Sequence, residues 1–317
     1  MIYIDWLSPS DHRSFNKSFF QIVAEKTDVC FVFEKKLVID DVDTIFIHQN
    51  KGRLKRFLCV LSLCVKYRAE NLFFVTYDPF FIVFLSLLRL DISVFEHNTT
   101  PETINLSKHS IWQFLFLGRI KRLAQFKGQY EILKKLNQKV FYIGSPLRII
   151  KKTNGKCKSS SNYYLAPSYR MDLDELSRII PSLDIRKVLV KKAAFDNSEN
   201  AHIDRFRRMI IPKPHITEND INNAKGIIIT LQSDTRGTGW FNEAIGRGIP
   251  LLLSNKKIIS VFIKTFPNYP FIDISNLADN KQGINPEKLK ISIPDQLAYI
   301  YLNNYSFRQN FKNAISS

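Results

Sequence analysis

Glycine is scarce in this sequence, cysteine scarcer, and acid is outnumbered by base. Only 11 glycines occur in 317 residues, and four of them (Gly237, Gly239, Gly246, Gly248) crowd into twelve positions. The four cysteines, Cys30, Cys59, Cys64 and Cys157, show no metal-ligand spacing. A chain of this length needs no disulfide staples, so free thiols in a reducing compartment are expected. The longest uncharged apolar run of the first half is PFFIVFLSLL, residues 79–88, against the roughly 20 residues needed to cross a bilayer. The start, MIYIDWLSPS, lacks the basic and long apolar regions of a secretory signal. These absences predict a cytoplasmic protein, or one held peripherally on the inner face of the cell membrane. Helix-turn-helix, zinc-finger and RNA-binding signatures are also lacking. Of the two Asp-x-Asp sequences, Asp41-Val42-Asp43 has no phosphate loop beside it and Asp172-Leu173-Asp174 reads as a helix start. No metal is therefore expected.

What is present is globular. Hydrophobic residues make up 45% and charged residues 24% of a length suited to two domains. The net charge of +17 points to anionic partners. It is concentrated: residues 108–158 hold 13 Lys/Arg and one acid, Glu131. Short β-rich runs (MIYIDWL, VCFVF, TIFIHQ, NLFFVTY, DISVFEHN) alternate with helical stretches (FNKSFFQIVAEK, KRFLCVLSLCVKYRAE, DPFFIVFLSLLRL). Such alternation predicts parallel sheets covered on both faces. KKTNGKCKSSSN, residues 151–162, reads as a linker, after which the alternation restarts with YYLAPS, DELSRIIPSL, KVLVKK, ENDINNAKG and IIITLQ. The tail, IPDQLAYIYLNNYSFRQNFKNAI, reads as one or two helices.

The glycine cluster lies in IIITLQ-SDTRGTG-WFNEAIGRG-IPLLLSN, read as strand, loop, helix, strand. A loop leaving the carboxyl end of a buried strand delivers its ligand to a helix N-terminus, where unpaired N–H groups favour phosphate. Gly237 and Gly239 allow close backbone approach, Arg236 adds a forked cation, and Thr235 and Thr238 add hydroxyls. Glu243, about one turn into the helix, suits a ribose diol beside that phosphate. An ordinary α/β joint marked by glycines would show the same spacing.

Over residues 160–256 the chain resembles the C-terminal domain of GT-B glycosyltransferases, in particular the glycosyl transferases group 1 family. Glu243-Ala244-Ile245-Gly246-Arg247-Gly248-Ile249-Pro250 matches the family's second acid and the turn after it. The resemblance implies an α/β GT-B fold: two Rossmann-like domains with parallel sheets facing a central cleft. It divides the chain into an acceptor-binding domain (1–155), a nucleotide-sugar-binding domain (156–295) and a C-terminal helix (296–317) crossing back. It implies that Glu243 holds the ribose, that His215, between Pro214 and Ile216, flanks the base, and that Arg170 meets the diphosphate with Ser168 and Tyr169 beside it. The family's first Glu falls on Thr235, a departure, with Asp234 adjacent. The implied substrate is a nucleotide-diphosphate sugar, without cofactor or metal. A non-catalytic nucleotide-sugar binder and an epimerase on the same fold are the alternatives.

In the N-terminal half, SPSDHRS carries Asp11 and His12, and FEHNTTPE carries Glu96, His97 and Asn98. An inverting transfer needs a base for the acceptor hydroxyl, which such groups supply, whereas in a retaining one a loop histidine positions the donor hexose. Asp11 equally suits a helix cap. Residues 110–128, SIWQFLFLGRIKRLAQFKG, combine Trp112 and Phe116 with Arg119, Lys121 and Arg122, a pattern suited to an interfacial helix on anionic lipid. A lipid-linked glycan acceptor in surface polysaccharide synthesis (O-antigen, capsule or exopolysaccharide) fits that placement. Nucleic acid is the rival explanation of the charge.

Overall fold

The computed structural model describes residues 1–5, 13–23, 30–33, 44–46, 52–68, 71–77, 82, 85–88, 90–96, 120–136, 139–150, 163–168, 171–196, 206, 208–231, 237–275 and 291–317. Two compact units emerge. The first comprises Met1–Pro146 and Asn303–Ser317, the second Leu147–Leu302.

In the first unit the strands are β1 (Ile2–Asp5), β2 (Cys30–Phe33), β3 (Thr44–Phe46), β4 (Asn71–Phe74), β5 (Asp91–Glu96), β6 (Ile120–Ala124) and β7 (Val140–Tyr142). They form one sheet in the order β3-β2-β1-β4-β5-β6-β7, with every pair parallel. The order reverses between β1 and β4, the doubly wound arrangement that opens a crevice at the strands' carboxyl ends. Period-two alternation sends neighbouring residues into two cores. Ile2, Ile4, Leu72, Phe74, Ile92 and Val94 face helix α2 (Arg53–Lys66) through Val60 and Leu63. Tyr3, Phe73, Phe95 and Leu123 pack with Phe19 and Phe20 of α1 (Arg13–Val23). Helix α3 (Lys127–Leu136) connects β6 to β7.

The interfacial helix expected over residues 110–128 does not form at its basic end. Residues 120–124 are strand β6, held between β5 and β7, and Lys121 and Arg122 are buried. Neither can meet a membrane. Lys121 donates to Asp91 at 2.7 Å and to the Ile315 carbonyl at 2.6 Å; Arg122 lies 3.7 Å from the Glu96 carboxylate. The sequence misled because apolar positions 120, 123 and 124 mimic helical spacing, while the partner acids lie tens of residues away. Glu96, within the strand run DISVFEHN and also quoted in FEHNTTPE, is the buried last residue of β5 and accepts from the Tyr77 hydroxyl at 3.1 Å. Trp112, Phe116 and Arg119 lie outside the described residues.

The second unit holds β8 (Tyr164–Ala166), β9 (Val188–Lys191), β10 (Ile210–Lys213), β11 (Ile227–Ile229), β12 (Leu251–Leu253) and β13 (Ile272–Asp273). Their order is β10-β9-β8-β11-β12-β13, again all parallel, with the reversal between β8 and β11. Strand β10 was not foreseen: it contains Pro212, which a sheet tolerates at an edge, where β10 lies. The helices are α4 (Leu173–Ile179), α5 (Lys192–Asp196), α6 (Glu218–Asn222), α7 (Gly239–Arg247), α8 (Lys256–Thr265) and α9 (Ile293–Ser316). Asp172 caps α4, accepting from the Glu175 N–H, as its sequence position suggests. Helix α9 is one 24-residue element. Its last part belongs to the first unit, where Phe307 and Phe311 join the α1 core; Phe311 lies 4.9 Å from Phe19 and 5.2 Å from Phe73.

Candidate functional site

The reversal between β8 and β11 is where an open α/β sheet offers a ligand crevice. Ser168, buried, follows β8. Thr230 follows β11 and accepts from the Asp172 N–H at 2.8 Å, tying the turn after β8 to the end of β11. Helix α7 then begins, with Thr238 as its N-cap, accepting from the Trp240 N–H at 3.3 Å. Gly237 is buried, and a Cβ added to Gly239 would meet nothing within 4 Å among the described residues. A helix of nine residues thus presents its N–H groups and an open glycine at the strand ends.

The other two glycines of the cluster do different work. A Cβ on Gly246 would stand 2.3 Å from the Arg148 carbonyl oxygen, and the Ile150 N–H donates to the Gly246 carbonyl at 3.1 Å. Gly248 takes φ +62, the left-handed cap that ends α7, and its N–H returns to the Ile245 carbonyl. Gln296 of α9 donates to that same carbonyl at 2.6 Å. The glycine cluster therefore splits into a helix start, with Gly237 buried and Gly239 open, and a packed pair at the helix end.

Glu243 lies on α7 with 18% of its side chain exposed. Its carboxylate accepts from Arg247 Nε at 2.9 Å. Arg247 is almost wholly buried and uses the rest of its fork on α6, donating to Asn222 at 2.7 Å and to Glu218 at 2.5 Å. Helix α6 carries the adjoining loop. Asp220 accepts from the Thr217 N–H and hydroxyl, while Thr217 Oγ1 accepts from the Asp220 N–H, a reciprocal capping box. Asp220 also takes Lys213 Nζ at 2.6 Å. Burial pushes the Asp220 carboxyl up, but Lys213 and Thr217 outweigh it and hold the group below the usual carboxylate range. The short loop 214–217, with His215 exposed on it, is thereby fixed at both ends. The sequence motif contains Arg247 but assigns it no role. Its distance of four residues from Glu243 was the one available signal.

The structure thus places Glu243, Thr238, Gly237, Gly239, Ser168 and His215 all in the second unit, on loops or helix starts following β8, β10 and β11. Tyr169, Arg170, Asp234, Thr235 and Arg236 lie outside the described residues. So do Asp11, His12 and His97 of the first unit. The chain on either side of residues 6–12 is nonetheless anchored. Asp5, fully buried at the end of β1, accepts from Asn16 of α1 and from Thr76, both at 2.9 Å. The Tyr3 hydroxyl donates to Asn16; burial, then the Asp5 charge, raises its pKa well above the ordinary value, so it stays a donor.

No family model and no curated protein sequence matches the chain. Solved structures do. HepE from Anabaena, determined with UDP and glucose, is similar at a TM-score of 0.67 with 10% identity, covering 99% of each chain. A glycosyltransferase from Rickettsia africae gives 0.61 at 14% identity over 99% of this chain and 95% of its own. A UDP-glucosyltransferase from Polygonum tinctorium gives 0.52 at 9% identity over 100% and 98%. The α/β fold with its two parallel sheets is the GT-B fold of glycosyltransferases.

Proposed function

We propose that the chain is a glycosyltransferase that takes a sugar from a nucleotide-diphosphate donor, a UDP-sugar, and places it on a glycan. The observation that carries this is Glu243, one turn inside a helix that starts at the sheet's reversal point and held by the buried Arg247. In this reading Glu243 accepts from the ribose hydroxyls. The N-terminus of α7, with Thr238 and Gly239, faces the diphosphate, joined by Ser168, Arg170 and Arg236. His215 flanks the base. HepE, solved with UDP and glucose, with UDP and with UDP-glucose, supplies the choice of uridine.

In the reaction, the acceptor hydroxyl oxygen forms a bond to the anomeric carbon as the bond from that carbon to the diphosphate breaks. UDP leaves with both electrons of that bond, and the helix N-terminus and nearby cations stabilise its charge. The acceptor proton passes to a base if the transfer inverts, with Asp11, His12 and His97 as the candidates. The acceptor is assigned as a lipid-linked glycan of surface polysaccharide synthesis, in keeping with the basic chain.

Calorimetry with UDP-, GDP-, ADP- and CMP-sugars tests the donor. The expected result is binding of a UDP-sugar, weakened about 10- to 100-fold in Glu243→Ala, the equivalent of losing one hydrogen bond to a charged group. Binding of none of the four would overturn the proposal. Thr235, standing where the family has its first acid, favours a second reading, a donor-binding protein without transfer. Donor turnover measured beside binding separates the two.

A further inference from the structure

Helix α2 is apolar on two faces, and among the described residues only one of them is covered. Val60, Leu63 and Cys64 pack into the first unit's core. On the far side Leu54, Leu58 and Val65 are 67%, 54% and 80% exposed. At about 100° per residue these three fall within an arc of roughly 40°, so they form one stripe along the helix. Lys55 and Lys66, both exposed, border it along one side, and the exposed Tyr67 and Arg68 follow at its end. Residues 51–68 contain six basic side chains (Lys51, Arg53, Lys55, Arg56, Lys66, Arg68) and no acid. An exposed apolar stripe along a helix wants a partner, and an acid-free basic border selects which one.

We infer that the outer face of α2 docks on an anionic lipid surface, its leucines and valine entering the headgroup boundary and its lysines meeting lipid phosphates. Charge complementarity argues for lipid over a second copy of this chain, because two copies would bring like charges together at the same stripe. The docking face belongs to α2, not to residues 120–124, whose cations are consumed inside the sheet. This inference stands apart from the donor-site reading, since it concerns a different unit and different residues.

Co-sedimentation of the full chain with vesicles tests it. The chain is expected to sediment with phosphatidylcholine/phosphatidylglycerol vesicles, far less with phosphatidylcholine alone, and less as salt rises. The triple variant Leu54→Ser/Leu58→Ser/Val65→Ser keeps the net charge and the core, and its partition is expected to fall about tenfold or more. Lys55→Gln/Lys66→Gln is expected to reduce the preference for anionic vesicles. Matching near-ultraviolet circular dichroism and thermal midpoints establish that the variants fold. Glu243→Ala is expected to sediment as wild type, which keeps this outcome distinct from that of the donor site. Equal sedimentation of wild type and the triple variant overturns the inference. So does wild type that ignores vesicles, including the case in which light scattering finds a dimer that the triple variant abolishes.

Discussion

Arg247 donates from Nε to the Glu243 carboxylate one helical turn earlier, with 3% of its own side chain exposed. The pair has the favourable orientation, acid before base at i and i+4. The same guanidinium grips Glu218 and Asn222, so α6 and α7 are locked by one side chain. Arg247 is thus a positioning residue for Glu243 and for the loop that carries His215.

Replacing it with methionine is expected to cost about 1–3 kcal/mol in urea unfolding, at the lower end because Glu218 is itself well exposed and regains water. Arg247→Lys is expected to recover little of this, since one ammonium cannot fill three acceptors in a planar fork. A merely structural role would weaken UDP and 2′-deoxy-UDP alike. Orientation of Glu243 predicts a larger loss for UDP, read as a smaller ratio of the two affinities.

Two glycines of one cluster should answer oppositely. Gly246→Ala forces a Cβ to 2.3 Å from a backbone oxygen, with no flexible group to yield, and is expected to destabilise by about 1–3 kcal/mol or more. Gly239→Ala meets open space at the start of α7 and is expected to leave the thermal midpoint unchanged or slightly raised. Its effect should appear in donor affinity instead, measured by calorimetry, because the new methyl stands where the diphosphate would approach.

Lys121 ties β6 to the carboxyl end of α9 through the Ile315 carbonyl and to β5 through Asp91. Lys121→Met leaves that carbonyl without its cation and is expected to cost about 2–3 kcal/mol. Hydrogen exchange should rise first in residues 303–317, the part of α9 that packs on Phe19 and Phe73. No change in exchange there would show that the aromatic contacts alone hold the helix.

Asp220 sets a pH dependence. Its carboxyl lies below the usual range when folded, so the folded state binds its proton less readily than the unfolded chain. The resulting stability is present above the unfolded pKa of about 4 and is lost as pH falls through the lower folded value. Asp220→Asn is expected to be less stable than wild type at neutral pH, with the difference shrinking below about pH 4. Unfolding midpoints at pH 7 and pH 3 check it.

Most of the fold was legible in the sequence because parallel strands buried on both faces are short apolar runs between helical periods. IYID, NLFF, DISVFE and VLVK stand out for that reason. IKRLA did not, because its two cations are paid for by Asp91, Glu96 and Ile315, all remote in sequence. Helix α2 was legible as a helix, but a pattern apolar on two faces cannot say which face finds a neighbour.

The glycine cluster shows the same division. Sequence alone determined that a loop, a helix with Glu243 in its second turn and a core strand follow one another, since glycine, helical spacing and an apolar run are local properties. Only the tertiary structure decided that Gly246 and Gly248 serve packing against Arg148 and Gln296, that Gly239 stays open, and that Glu243 is held by a buried arginine. Those outcomes depend on which surfaces approach within a few ångströms, a property of the assembled sheets and helices that no window of sequence contains.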